Sequence, residues 1–254
     1  MKITTYLACC LPLVSTITLA EVTETEEFTF DLQDGGRFSL SNVNGDIAVS
    51  GVEGKQVHVI ATKKAGTQKY LDGIEIEVHA GESDIRIETH HPSSSGSWFT
   101  RGEDSGGGVS YEVTVPTGAQ LDTIESVNGS IKIDGVTARI KADTVNGDIK
   151  IDNVAGDLDM HTVNGGMRAQ FDAVGEGQRI TADAVNGRIV LQFPANASAR
   201  IHAETLNGGI DADDFDLKPD KGFVGRDLDG QIGAGDARVS LDTVNGSITI
   251  KRSN

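Results

Sequence analysis

The sequence predicts an all-β fold, a parallel β-solenoid built from coils of about 18–22 residues with two short strands per coil. The dipeptide Asn-Gly occurs seven times, nearly always within the frame Val-Asn-Gly-x-Ile, with its asparagines at Asn44, Asn128, Asn146, Asn164, Asn186, Asn207 and Asn245. Three successive copies lie 18 residues apart, which indicates one structural unit built repeatedly. Abundant glycine (31 residues) with little proline (5 residues) suits short strands joined by tight turns.

Residues 1–20 are predicted to be a secretory signal peptide. Lys2 precedes an apolar stretch from Tyr6 to Val14, and a region of small and polar residues follows up to Ala20. The apolar stretch is too short to cross a bilayer, so cleavage before Glu21 and export are expected. The predicted location is therefore the periplasm, the cell surface or the extracellular space. Both cysteines fall in this segment, so the mature chain is expected to have no disulfide.

The charge and hydropathy of the chain restrict its partners. A formal net charge of −16 disfavours nucleic acids and anionic membrane surfaces. No second apolar run approaches the length of a membrane span. The partner expected from the sequence is an unknown envelope protein or a glycan, and the sequence does not specify an oligomeric state.

Residues 21–254 are predicted to form a single solenoid domain with two parts. Residues 35–120 form less regular N-terminal coils with a loop at 90–108, and residues 121–254 form the regular repeats with an excursion at 215–235. Strand-like segments at 56–60, 74–78 and 84–87 lack the Asn-Gly frame and predict either early coils or an N-terminal cap. Residues 229–232 could be a degenerate copy of the repeat.

The regular repeat consists of nine-residue units, seen most clearly over residues 127–163. Positions 1, 5 and 7 of each unit are apolar, and positions 5 to 7 alternate as in a strand with one buried face. Asn and Gly at positions 2 and 3 predict a corner with positive φ. An antiparallel meander is the alternative, because Asn-Gly is a strong hairpin signal. However, Asn-Gly occurs only once per 18 residues in the regular part. This favours two-strand coils, each lying on the previous one, with stacked, hydrogen-bonded asparagines.

The loop at 90–108 contains Trp98, the sole tryptophan, next to Phe99. Aromatic side chains on a loop could bind sugars or a partner protein. The alternative is that they fold back over an edge of the solenoid.

A column of acidic residues is expected along one edge of the stack. These residues each lie three positions before an Asn-Gly asparagine, and His161 fills one further slot: Glu125, Asp143, Asp183, Glu204 and Asp242. In register, the carboxylates would be solvated, screened or bridged by divalent cations. The units lack the paired glycines of calcium-binding nonapeptide rolls, so no metal site is predicted.

No catalytic or cofactor-binding residue is predicted either. Asp213 with Asp214, or Asp157 with Asp159, could be proposed as acid pairs of a carbohydrate-cleaving enzyme on a parallel β-helix. No His, Arg or Lys converges on these pairs by register, and chance pairs are expected in a chain with 38 acidic residues.

The chain also resembles a known family. Residues 110–119 (Ser-Tyr-Glu-Val-Thr-Val-Pro-Thr-Gly-Ala), followed by repeated Val-Asn-Gly-Asp-Ile, are similar to the bacterial putative-adhesin family of β-strand-repeat envelope proteins, a domain of unknown function. Residues 191–195, 204–208 and 242–246 extend the resemblance over residues 35–252. The resemblance implies a parallel β-solenoid in the exported or envelope compartment, without an established catalytic activity or cofactor.

The expected function is that of an exported, non-catalytic β-solenoid, a structural or adhesin-like binding module of the cell envelope. The alternative is a polysaccharide-binding or polysaccharide-cleaving protein on the same fold.

Overall fold

The computed structural model describes residues 21–92, 106–220 and 225–253. Over these residues the chain forms two ten-stranded sheets, one helical turn (α1, Gln68–Leu71) and one 3₁₀ turn (Asp213–Phe215). Sheet A contains β1 (Val22–Asp31), β3 (Ile47–Val52), β4 (Gln56–Ala65), β7 (Gly107–Pro116), β9 (Ile131–Asp134), β11 (Ile149–Val154), β13 (Met167–Phe171), β15 (Ile189–Phe193), β17 (Ile210–Asp211) and β20 (Ile248–Arg252). Sheet B contains β2 (Arg37–Asn44), β5 (Glu75–Ala80), β6 (Asp84–His90), β8 (Gln120–Asn128), β10 (Ile140–Asn146), β12 (Leu158–Asn164), β14 (Arg179–Asn186), β16 (Ala199–Asn207), β18 (Arg226–Ile232) and β19 (Ala237–Asn245).

Each Asn-Gly corner joins a strand of sheet B to the next strand of sheet A, and we call such a pair of strands a rung. Successive rungs pair in parallel: Ile140 of β10 faces Leu158 of β12, and Ile149 of β11 faces Met167 of β13. The predictions of an all-β fold and of parallel stacking are therefore confirmed. An antiparallel meander is excluded for these repeats.

The core lies between the two sheets, where the alternating apolar residues of each strand meet. In the central rung, Leu158, Met160 and Met167 are at most 1% exposed. The same positions in the other Asn-Gly rungs are apolar and buried, so each rung covers the apolar side chains of the next. Phe171 and Phe193 close the core near the C-terminal end with an edge-to-face contact, their ring centroids 5.3 Å apart.

The rungs do not stack strictly in chain order, which corrects the expectation that each coil lies on the previous one. The four rungs from β8–β9 to β14–β15 follow the chain. At one end, however, the first rung, β2–β3, lies between β6–β7 and β8–β9. At the other end, the last rung, β19–β20, lies between β14–β15 and β16–β17. The first and last repeats of the chain are therefore inside the stack.

Antiparallel strands cap both ends of the stack. At one end, β4 pairs with β7, β1 pairs with β4, and β5 pairs with β6. At the other end, β18 runs antiparallel to β16. Residues 229–232 belong to β18, so their interpretation as a degenerate repeat is wrong because they run in the opposite direction. The excursion expected at 215–235 likewise contains a strand.

The segments expected to be early coils or a cap divide between these two roles. β4 and β5 are cap strands, whereas β6 pairs in parallel with β2 and continues the parallel stack without an Asn-Gly corner. Strands extend into both ends of the loop expected at 90–108, since β6 ends at His90 and β7 begins at Gly107. Trp98 and Phe99 lie outside the described residues, as does the predicted signal peptide.

Candidate functional site

A continuous ladder of asparagine side chains fixes the corner of each rung. Asn164 donates its Nδ2–H to Asn146 Oδ1 and accepts a hydrogen bond from Asn186 Nδ2, both at 2.9 Å. The same bond joins every neighbouring pair, at 2.8 or 2.9 Å, in the stacking order Asn44, Asn128, Asn146, Asn164, Asn186, Asn245 and Asn207. The predicted ladder is confirmed, and it holds neighbouring rungs in register along the whole stack.

The glycine after each asparagine is required for a different reason from the predicted one. Of these seven glycines, Gly45 alone has a positive φ, and none of the ladder asparagines has one. Instead, neighbouring corners approach so closely that a Cβ on Gly165 would lie 1.9 Å from the carbonyl oxygen of Gly147. The corner is therefore a tight stack of backbone, in which any side chain would collide with the next rung.

An aliphatic column runs along the outer face of sheet B, directly before the ladder. In the strand Ile140–Asn146, Thr144 is buried and donates its hydroxyl hydrogen to the carbonyl of Gly129, so the next residue, Val145, points outward and is 40% exposed. Six of the seven residues at this position are 40–48% exposed and Val43 is half-buried, and together they form the aliphatic column: Val43, Val127, Val145, Val163, Val185, Val244 and Leu206.

The repeat pattern predicts that these residues are apolar but does not by itself assign them to the outer face. The strict alternation of core-facing and outward-facing residues within each strand could have shown this orientation. Ile140, Ala142 and Thr144 face the core, which leaves Val145 on the other side of the sheet.

The predicted acidic column is confirmed, and it runs beside the aliphatic column on the same face of sheet B. Asp143 faces Glu125 on one side and His161 on the other. The acidic column consists, in stacking order, of Glu125, Asp143, His161, Asp183, Asp242 and Glu204. Because alternate residues of a strand lie on one face, each carboxylate is two positions from an aliphatic neighbour.

Two carboxylates of this column, Asp143 and Asp183, have raised pKa values. Burial raises the pKa of Asp183, and the charge of Asp242 adds to the rise, although His161 opposes it. Burial also raises the pKa of Asp143, with the charge of Lys141 opposing it. His161 lies between two carboxylates, 3.0 Å from Asp183 Oδ2 and 2.9 Å from the carboxylate of Asp159. The column thus carries negative charge that its own cations compensate in part.

The two columns line one elongated groove with a volume of about 1030 Å³. It extends from Thr89 in β6 to Arg226 and Asp229 in β18. At the β18 end, His202 Nδ1 lies 2.8 Å from Asp229 Oδ1, and this hydrogen bond raises the pKa of His202. The groove is apolar along one side and acidic along the other, so it can accept a long ligand that has both an apolar and a cationic side.

The residues of the acid pairs considered for catalysis have partners of their own. Asp157 accepts a hydrogen bond from the backbone N–H of Arg179 at 2.8 Å, and Asp214 accepts the backbone N–H of Arg252 at 3.0 Å. The expectation that no His converges on these pairs is wrong for Asp159, because His161 lies 2.9 Å from it and also contacts Asp183.

A possible metal-ligand set lies on the antiparallel pair of β5 and β6, next to the end of the groove at Thr89. Oxygen atoms of Glu77 and Glu88 and a ring nitrogen of His90 lie within 4.8 Å of one another, the His90 Nε2–Glu77 Oε2 distance being 3.1 Å. Hydrogen bonds from His90 and His79 lower the pKa of Glu77. Nothing in the sequence reasoning identified this cluster, since only the antiparallel pairing of β5 with β6 brings Glu77 opposite Glu88.

None of the helical segments in the described part of the chain has the length and apolar character needed to cross a bilayer.

Several solved structures are similar to this chain, with low sequence identity. A putative cell adhesion protein from Clostridium sporogenes is 15% identical with a TM-score of 0.48, covering 91% of this chain and 100% of that chain. A putative adhesin from Bacteroides fragilis is 12% identical with a TM-score of 0.47, covering 92% and 100%. A putative lipid binding protein from Parabacteroides distasonis is 11% identical with a TM-score of 0.32, covering 91% and 97%. Because these TM-scores are low, the family assignment depends on the sequence match alone.

No curated protein matches the chain. The model of the family Toastrack DUF4097 matches residues 16–251, which is nearly the whole sequence. This confirms the resemblance to a family of unknown function that the repeats predicted. The chain belongs to the Toastrack DUF4097 family.

Proposed function

We propose that this protein is an exported, non-catalytic β-solenoid that serves as a binding module of the cell envelope, and that the groove on sheet B is its contact surface. The observation that carries this proposal is the aliphatic column. Six side chains that are 40–48% exposed lie in one unbroken row, where a solvated edge would carry polar residues. Contiguous exposed apolar surface is rare on monomeric soluble proteins and usually marks a binding site.

An outward-facing aliphatic residue recurs in every repeat, which indicates that the column has a role. Replacing each valine with threonine or lysine would keep the strand and improve solubility, because these side chains point away from the core. Two positions before four of the asparagines stands a buried threonine, which shows that polar residues fit this strand when they have a hydrogen-bond partner. A binding role explains why the outward position is aliphatic seven times.

Two further observations support the non-catalytic and exported parts of the proposal. Three acidic residues near the groove, Asp159, Asp183 and Asp229, are engaged in ion pairs with His161 and His202. Residues 1–20 have the charge, apolar stretch and small residues of a signal peptide. The module would then work in the periplasm or at the cell surface.

The test is binding of the purified protein to isolated cell envelopes of the source organism. The double variant Val145→Lys/Val185→Lys places two charges in the aliphatic column without touching the core. We expect it to weaken envelope binding by about tenfold or more, because apolar contact is replaced by solvated charge. Val52→Lys is the matched control, since Val52 is 41% exposed but lies on sheet A outside the column. Equal binding by the groove variant and the wild type would overturn the proposal.

The polysaccharide alternative depends on Trp98, which lies outside the described residues. Every large apolar side chain that is strongly exposed in the described part of the chain is aliphatic. A glycan array with the wild type and Trp98→Ala decides between the alternatives. Glycan binding that is lost in Trp98→Ala and kept in Val145→Lys/Val185→Lys would favour the alternative.

A further inference from the structure

We propose that the occupant of the groove is an amphipathic α-helix of a partner protein, which presents an aliphatic stripe and a neighbouring stripe of Lys or Arg. This inference rests on the proposed binding function and adds the chemistry and shape of the partner. Helix-in-groove recognition needs a long apolar surface with a charged margin, and the two columns provide both.

The length and spacing of the aliphatic column fit a helix that lies along the stack. The six steps of about 4.8 Å between seven rungs give a column of about 29 Å, which corresponds to about 19 helical residues at 1.5 Å per residue. Residues three or four apart on one helix face recur about every 5 Å along its axis, close to the spacing of the rungs. An extended strand along the same line would repeat its side chains every 6.8 Å or so and would lose register within a few rungs.

The charge of the groove determines the second stripe of the partner. Glu125, Asp143, Asp183, Asp242 and Glu204 line the groove parallel to the aliphatic column, with Asp227 of β18 facing Glu204 at the end. Along each strand, the two columns are about 7 Å apart, since their residues are two positions apart in the sequence. Lys or Arg side chains on the flank of a bound helix reach that distance from its apolar stripe. Cations placed there would also relieve the repulsion between Asp183 and Asp242.

The same charges disfavour two other occupants. The acyl chain of an anionic lipid could lie on the aliphatic column, but its headgroup would meet the acidic column. A second copy of this chain could offer the Lys132, Lys150 and Arg168 row of sheet A, which pairs in register. That row has no aliphatic stripe beside it, because Asp134 and Asp152 occupy the next outward column.

The experiment uses the full-length protein and three designed peptides of about 20 residues, long enough to span the column. The first peptide has leucines at helical spacing flanked by lysines. In the second, glutamates replace the lysines, and in the third, serines replace the leucines. Calorimetry gives the Kd at fixed salt, and circular dichroism reports whether the peptide gains helix on binding.

We expect the leucine–lysine peptide to bind and to gain helix, and the other two peptides to bind about tenfold more weakly or worse. The variants Val145→Ser/Val163→Ser and Asp183→Asn/Asp242→Asn should each weaken binding of that peptide by about tenfold. Val52→Ser and Glu53→Gln are the matched controls on sheet A and the turn after it, and they should leave the Kd unchanged. Size-exclusion chromatography of the free protein tests self-association through the groove.

Five outcomes would overturn this inference: no binding of the leucine–lysine peptide, equal binding of the glutamate peptide, equal binding of the serine peptide, binding without gain of helix, or dimers that the groove variants dissociate. If envelope binding depends on the groove but the leucine–lysine peptide does not bind, the helix is the wrong occupant and the proposed function stands. If envelope binding does not depend on the groove, the proposed function itself fails.

Discussion

Gly165 must lack a Cβ for two neighbouring rungs to pack against each other. A Cβ at this position would lie 1.9 Å from the carbonyl oxygen of Gly147, and the backbone on both sides is fixed by the parallel ladder. We expect Gly165→Ala to destabilise the fold by about 3 kcal/mol or more, because neither rung can move away.

The residue that follows provides a matched control. A Cβ on Gly166 would have its nearest neighbour at 3.5 Å, which is ordinary contact. Gly166→Ala should therefore change the free energy of unfolding by less than about 1 kcal/mol. Chemical denaturation of both variants checks the difference, and equal losses would show that the corner can relax.

The asparagine ladder makes a graded prediction within one row of residues. Asn164 takes part in two ladder hydrogen bonds, whereas Asn207 stands at the end of the ladder and takes part in one. At about 1 kcal/mol per bond, Asn164→Ala should cost about 2 kcal/mol and Asn207→Ala about half as much. Urea denaturation measures both values, and a larger loss for Asn207→Ala would contradict the ladder as a source of stability.

Asp183 makes the stability of the protein depend on pH. Its pKa is raised in the folded state, mainly by burial, so its contribution to stability is full in acid and is lost as the pH rises through the folded pKa. We expect Asp183→Asn, which does not titrate, to melt at a higher temperature than the wild type at neutral pH. The gain should shrink as the pH falls towards about 4, where an ordinary aspartate protonates. A melting-temperature difference that stays constant from acid to neutral pH would exclude this origin.

At the residue scale, the sequence predicted the positions of the corner but not its physical cause. Asn-Gly was assigned to the corner because both residues tolerate positive φ, and the ladder follows from that placement. The actual need for glycine comes from the neighbouring rung, which lies 18 or more positions away in the chain. The exposure of Val145 depends in the same way on the partner that Thr144 finds in another rung.

At the element scale, pairing partners follow from the repeat, but stacking order does not. Every rung ends in nearly the same Asn-Gly corner, so almost any rung can lie on any other with equal register. The swapped positions of β2–β3 and β19–β20 depend on the segments next to them, β4 to β6 and β18, which lack the frame. These segments also supply the antiparallel caps, which cover the rung strands of sheet B at both ends and those of sheet A at one end.

The swapped order predicts that the C-terminal repeat is essential to the stack. Residues 237–252 have neighbours on both sides in both sheets, whereas β1 pairs with β4 alone. A protein that ends at Gly235 should lose its cooperative melting transition, because β16 and β17 lose the rung that joins them to the rest.

A matched deletion removes β1, residues 22–31, from the edge of sheet A. It exposes one hydrogen-bonding edge of β4 and should lower the melting temperature while keeping the transition cooperative. Circular dichroism and thermal melting compare the two shortened proteins. A cooperative transition in the protein that ends at Gly235 would show that β16 and β17 do not need the inserted rung.

At the scale of the whole molecule, the outer faces of the two sheets carry different rows of charged residues. The outer face of sheet B carries the acidic column, whereas sheet A presents Lys132, Lys150 and Arg168 in register, with Asp134 and Asp152 beside them. The acidic column could be predicted from the sequence because the asparagines set the register of every rung. The groove could not, since it depends on the side of the sheet to which the valines point and on where β6 and β18 end it.

The inserted position of the rung β19–β20 has a consequence for how the chain folds. Rungs 120–193 can assemble in chain order, each templated by the one before it. Strands 199–211 come next in the chain, but the rung that joins them to the middle of the stack follows them. That rung must enter between two layers that both precede it in the chain, so this step is non-local and slow relative to the growth of the middle.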